Sequence, residues 1–146
     1  MKIMRIFFLM SLTSLLLGQG YSSLVYSDVN LSNDPGRAYS ALVLALGSVA
    51  MGAKCKLYCT MGGLEVVKKG GASKITMPGA PPLAKYLKDA IEAGVEVTAC
   101  GPSKEMLEQM GVTKDNLEQG VEFEDVIGFL KTALPASKKG GMVVFI

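Results

Sequence analysis

The sequence predicts an α/β protein: a three-layer α/β/α sandwich built around a mostly parallel sheet of about five strands. Three observations lead there. From Ser22 onward, short β-rich apolar runs alternate with longer segments of helical periodicity. Gly or Pro stands at most changes of pattern, as at Pro35, Gly52, Gly94, Gly111 and Pro135. The chain closes on M-V-V-F-I, a continuous apolar run typical of a strand covered on both faces.

Taken in order, S-L-V-Y-S-D-V (Ser23 to Val29) reads as a strand that runs into a polar loop. Asp34 before Pro35 has the form of an N-cap with proline at the first helical position. The helix that follows is apolar nearly all round up to Gly52, so it is expected to lie between the sheet and another surface. Ala53 to Cys59 is a second strand, followed by Gly62-Gly63, a short helix L-E-V-V-K-K and Gly70-Gly71. Ser73 to Pro78 is a short strand or an extended loop. After Pro81-Pro82, the spacing of Leu83, Tyr86, Leu87, Ala90 and Ile91 gives one buried helical stripe, ended by Gly94. Val95 to Cys100 is the next strand, and E-M-L-E-Q-M the next helix. Thr113 is a suitable cap for the turn K-D-N-L, and Gly120 to Glu124 alternates as a short strand. Phe123, Val126, Ile127, Leu130 and Leu134 form the expected buried stripe of a last helix, ended by Pro135.

Composition excludes several function classes. A net charge of +2, with Lys68-Lys69 and Lys138-Lys139 set beside glycine pairs as solvated loop ends, gives no basic face for nucleic acid. There is no histidine, which removes Ser/His/Asp and Cys/His nucleophile pairs and most zinc sites. The glycine pairs form neither G-x-G-x-x-G nor a P-loop, so no cofactor is expected. The nine methionines read as gap-filling core. Asp28 and Asp34 fall at the sheet's carboxyl edge, where turn and capping roles account for them.

The opening 21 residues place Lys2 and Arg5 ahead of an apolar stretch from Ile6 to Leu17, then small residues. This is the layout of a signal peptide, and equally of an extension or an extra packed element. Under either reading a domain starts at about residue 22 and runs to 146.

Three cysteines, Cys55, Cys59 and Cys100, do not suit a disulfide framework. Four residues along a strand span about 13 Å, against roughly 4.4–6.8 Å between bridged Cα atoms, so Cys55 and Cys59 are not expected to bridge. Cys55 falls mid-strand with Ala53 and Leu57, as a core filler.

In V-E-V-T-A-C-G-P-S-K, Cys100 is the last residue of its strand, on the more polar side with Glu96 and Thr98. Open α/β sheets gather ligands and reactive groups just beyond the carboxyl ends of their strands. Gly101, Pro102 and Ser103 then lead into a helix whose first amides, aided by Lys104, would favour a thiolate. Small thiols are also common core fillers, so a reactive and a structural Cys100 both stand at this point. Cys59 ends a strand too, and is a possible second thiol.

The helix R-A-Y-S-A-L-V-L-A-L-G-S-V-A-M-G, then K-L-Y-C-T-M-G-G-L, V-E-V-T-A-C-G-P-S and L-E-Q-G-V-E-F-E-D-V before an apolar C-terminal strand together resemble the DsrE/DsrF-like family. The resemblance covers about residues 22 to 146. It implies an α/β/α domain of the DsrEFH type that forms homo- or hetero-oligomers. It further implies a sulfur-relay protein, sulfurtransferase-like if catalytic, that carries sulfane sulfur as a cysteine persulfide between donor and acceptor proteins. By that resemblance the carrier position falls on Cys100 alone, and no role passes to Cys59; Gly101, Ser103 and Lys104 stand in support only through their place just after the strand end. The alternatives are a non-catalytic oligomeric scaffold or binding module, and a small nucleotide- or flavin-binding domain. The family implies the cytoplasm. The hydrophobic leader leaves export open, and membrane association if that leader is retained as an anchor.

Overall fold

The computed structural model describes residues 21–27, 34–101, 104–109 and 111–146. Within them the chain runs β1 (Tyr21–Ser27), α1 (Pro35–Ala50), β2 (Lys54–Thr60), α2 (Leu64–Val67), α3 (Leu83–Glu92), β3 (Glu96–Cys100), α4 (Lys104–Gln109), β4 (Val121–Glu124), α5 (Val126–Lys138) and β5 (Met142–Phe145). The strands form one sheet in the order β4-β3-β2-β1-β5, and every pair is parallel. The order reverses between β1 and β5, so Cys100 on β3 lies away from the crevice where such sheets commonly take a ligand.

Alternation within the strands sorts their side chains. Register pairs Leu57 with Val97, Cys59 with Ala99 and Tyr58 with Thr98. Cys55, Leu57, Cys59, Val97 and Ala99 therefore share one face, and Lys56, Tyr58, Thr98, Cys100 and Glu124 the other. The first face is apolar and carries α1, α2 and α3. Leu42, Leu57 and Leu83 are at most 1% exposed there, and each contributes about 1.5–3 kcal/mol by leaving water. Ala38, Ala41 and Ala45 bring α1 close to the strands, while the Tyr39 hydroxyl donates to the Pro81 carbonyl at 2.7 Å and ties α1 to the start of α3. Gly94, with φ +94°, ends α3 in the left-handed region; the amide of Val95 then reaches back to the carbonyl of Ala90 at 2.9 Å.

Three expectations need correction. α5 does not stop at Pro135 but continues to Lys138. Proline has a helical φ, and the missing N–H falls on an exposed turn, so the helix survives at the cost of one bond. The face α5 turns inward is Phe129, Ala133 and Ala136. Val126, Ile127, Leu130 and Leu134 are instead 53%, 56%, 38% and 58% exposed, and Phe123 belongs to β4. Phe129 stacks on Tyr58 with Ala133 in the same cluster, and Ala136 is buried further along the helix. Likewise α1 buries one face only, with Val43 and Leu44 half exposed on the other.

Smaller details also differ. Asp34 stands at the N-cap of α1 with proline following, but its carboxylate pairs with Arg37 at 3.1 Å rather than capping amides. Ser73 to Pro78 follows the second of its two readings, a loop: a 3₁₀ turn at Ala72–Lys74 leads into extended backbone at Ile75. Thr113 does open a turn, where its amide donates to the Asn116 side chain at 2.7 Å. Residues 1–20 of the leader, Asp28, Pro102 and Ser103 lie outside the described residues, as does the side chain of Lys104, while Tyr21 already belongs to β1.

Candidate functional site

Alternation along β3 places the Cys100 side chain on the sheet face that α5 covers, at the strand's carboxyl end. The register sets it beside Glu124, and the Gly101 amide extends the pairing by donating to the Glu124 carbonyl at 3.1 Å. Cys100 is half buried, whereas Cys55 is 4% and Cys59 1% exposed. None of the three forms a disulfide. Cys59 lies on the opposite face, among Ala38, Leu42 and Val66, and burial pushes its thiol up to about 12. Cys59 and Cys100 are thus separated by the sheet itself.

Below Cys100 the polar face holds a buried ion network. Lys56, 5% exposed, reaches the Glu124 carboxylate at 2.8 and 3.0 Å and Glu96 at 2.8 Å. Thr98 Oγ1 donates to the second Glu124 oxygen at 3.2 Å. Burial alone would lower the Lys56 ammonium, but its bonds to Glu124 and Glu96 outweigh this and hold it above its ordinary value. A lysine this deep is tolerable only when paired, so Glu124 is fixed in place as much as Lys56 is.

Tyr58 projects from β2 on the same face and stacks on Phe129 of α5, with ring centroids 4.7 Å apart and 28° between planes. Cys100 packs against this cluster of Tyr58, Phe129 and Ala133. The Tyr58 hydroxyl is buried and has no hydrogen-bond partner among the described residues. Its ionisation is pushed up by burial first, then by the Cys100 thiol, then by Glu124 and Asp125. Phenol, thiol and the Glu124 carboxylate therefore share one corner of the sheet, and Asp125 acts on the phenol through its charge. Asp125 also caps α5, accepting the Gly128 amide at 2.6 Å. Gly128 has no side chain because a Cβ there would lie 2.8 Å from Glu124 Cγ.

Of the supporting residues expected from sequence, Gly101 lies beside Leu107 and Phe123 on the far face, and α4 begins at Lys104. Sequence reading missed Lys56, Tyr58 and Glu124. The signal was present, since K-L-Y, T-A-C and E-F-E each place polar groups two apart, and three parallel strands align those pairs. Met61, just past β2, holds φ at +50°, a left-handed conformation that the sequence did not announce. Among the described residues no three His, Cys, Asp or Glu side chains converge as metal ligands.

A parallel sheet between helix layers defines a small α/β/α protein, with one solvent-reaching thiol, Cys100, at a strand's carboxyl end. The chain belongs to the DsrE/DsrF-like family, whose pattern matches residues 25–135. It is 28% identical over 94 residues to an uncharacterised protein of Methanocaldococcus jannaschii, covering 64% of this chain and 33% of that protein. It is 31% identical over 98 residues to an uncharacterised protein of Methanopyrus kandleri, covering 65% of this chain and 75% of the relative. The chain thus spans about a third of the first relative and three-quarters of the second. Among solved structures it is similar to the ychN protein of E. coli, with TM-score 0.62 and 16% identity over 88% of this chain and 99% of that one. A protein of unknown function from Methanobacterium thermoautotrophicum superposes with TM-score 0.58 and 14% identity, covering 88% and 98%. At such identities the structural likeness establishes the fold. No helix among the described residues is long and apolar enough to cross a membrane.

Proposed function

We propose that the protein is a sulfur carrier and that Cys100 is its carrier thiol. The observation that supports this most is exposure: of three thiols, Cys100 alone reaches solvent, at the carboxyl end of β3. Membership in the DsrE/DsrF-like family supports the same reading. In the step envisaged, the Cys100 thiolate attacks the outer sulfur of a donor persulfide, R–S–SH. The donor's S–S bond breaks, R–S⁻ leaves, and Cys100–S–SH remains. Sulfane sulfur moves without net oxidation, and an acceptor thiolate reverses the step by taking the outer sulfur and releasing Cys100 as thiolate. Such chemistry needs a reduced thiol, which suits the cytoplasm. Incubation with a persulfide donor followed by intact-mass measurement tests it: the wild type gains one sulfur removable by dithiothreitol, and Cys100→Ser gains none. A wild type that never gains sulfur refutes the proposal.

A second part of the proposal is self-association. The outward row Val126, Ile127, Leu130 and Leu134 on α5 is apolar and exposed, which a lone chain in water rarely tolerates. Burying it against another copy would give the oligomer that the family resemblance implies.

A further inference from the structure

We propose that the Tyr58 hydroxyl is the hydrogen-bond donor for anionic sulfur at Cys100, and so the positioning residue for its thiolate. Extending the role to a bound persulfide rests on the sulfur-carrier reading; the thiolate half stands without it.

Geometry motivates the assignment. Tyr58 pairs in register with Thr98, and Cys100 lies two residues further along the same strand on the same face. That places the two side chains as diagonal neighbours on one face of adjacent strands. Cys100 does pack against the cluster that Tyr58 forms with Phe129. Tyr58 is 3% exposed and its hydroxyl lacks a partner among the described residues. A buried hydroxyl without a partner is costly, and phenylalanine would fill the same stack on Phe129 without that cost. The neutral thiol is a weak acceptor; a thiolate is a strong one, so the hydroxyl would be satisfied only once the sulfur is charged.

The charged groups described around the corner are acceptors or are already paired. Among the described residues, the groups facing Tyr58 and Cys100 are Glu124 from β4, Asp125 from the start of α5 and, through Glu124, Lys56 from β2. α5 itself contributes Phe129 and Ala133, both apolar. The carboxylates can only accept, and Lys56 is shared between Glu124 and Glu96. A neutral donor is what the corner has to offer. Burial, the thiol and both carboxylates hold the phenol protonated, so it can donate throughout the neutral range.

Alkylation of Cys100 by iodoacetamide, followed against pH in wild type and Tyr58→Phe, tests the inference. The midpoint is expected to rise in the variant by about one pH unit or more, a tenfold smaller thiolate fraction near neutrality. The midpoint is the readout rather than the plateau rate, because a thiolate of higher pKa is intrinsically more nucleophilic. A second arm leaves the chain unmutated: 3-fluorotyrosine, a stronger donor, lowers the wild-type midpoint and has no effect on that of Tyr58→Phe. An unmoved midpoint in both arms overturns the assignment and leaves Tyr58 as packing. The two readings fail separately. A shifted midpoint with no sulfur loading retains the donor and removes the carrier, whereas loading with unmoved midpoints does the reverse.

Discussion

Cys59 shows how strongly position governs a thiol. It shares a chain and a strand-end location with Cys100, yet it faces the apolar layer under α1 and is sealed there. Burial raises its pKa from 9.0 to about 12, so the folded state holds the proton more tightly than the unfolded chain does. The resulting stability is fully present below about pH 9 and is lost as pH rises towards 12, worth up to about 4 kcal/mol across that interval. Tyr58 and Lys56, both raised, push in the same direction. Urea unfolding at pH 8 and pH 11 should therefore show a steep alkaline loss in wild type and a smaller one in Cys59→Ala; equal losses would contradict the assignment. The distinction between the two thiols was half legible in sequence. Alternation placed Cys100 with Thr98 and Glu96, but how deeply α1 and α2 cover Cys59 depends on how separate segments pack.

At the scale of the element, α5 is where sequence pattern and structure part. Its periodicity was plain, and its length nearly so, but the stripe of large aliphatics predicted to face the core faces outward. A hydrophobic stripe identifies a buried face only when a single surface is available, and an exposed second apolar face defeats it. The residues that fix the true orientation are small: Ala133 and Ala136 against the sheet, and Gly128 against Glu124. Glycine to alanine within a helix ordinarily stabilises by roughly 0.5–1 kcal/mol. Here Gly128→Ala should destabilise by about 1–3 kcal/mol, because the Glu124 methylene it would strike is held by Lys56 and Thr98. Thermal melts of the variant check the sign; a melting temperature above wild type would show that the Lys56–Glu124 network yields freely.

For the whole molecule, the alternation of strands and helices was enough to predict a parallel sheet between helix layers. Strand order was not legible, since β5 pairs with β1 across the sheet from β4 and no local pattern encodes that choice. Sedimentation at micromolar concentration is expected to give a species larger than the 15.4 kDa monomer. Replacing both Ile127 and Leu134 with Glu should return it to monomer without lowering the melting temperature of the isolated fold. A wild-type monomer, or an assembly indifferent to those charges, would contradict self-association through α5.

The claim on which the functional account turns is that the half-exposed thiol at the end of β3 takes up sulfur. Intact-mass measurement after incubation with a persulfide donor tests it most directly. In wild type a single reducible gain of about one sulfur atom is expected, mapping to Cys100 and absent from Cys100→Ser. A wild type that stays at its original mass, or a Cys100→Ser variant that loads equally well, would contradict it.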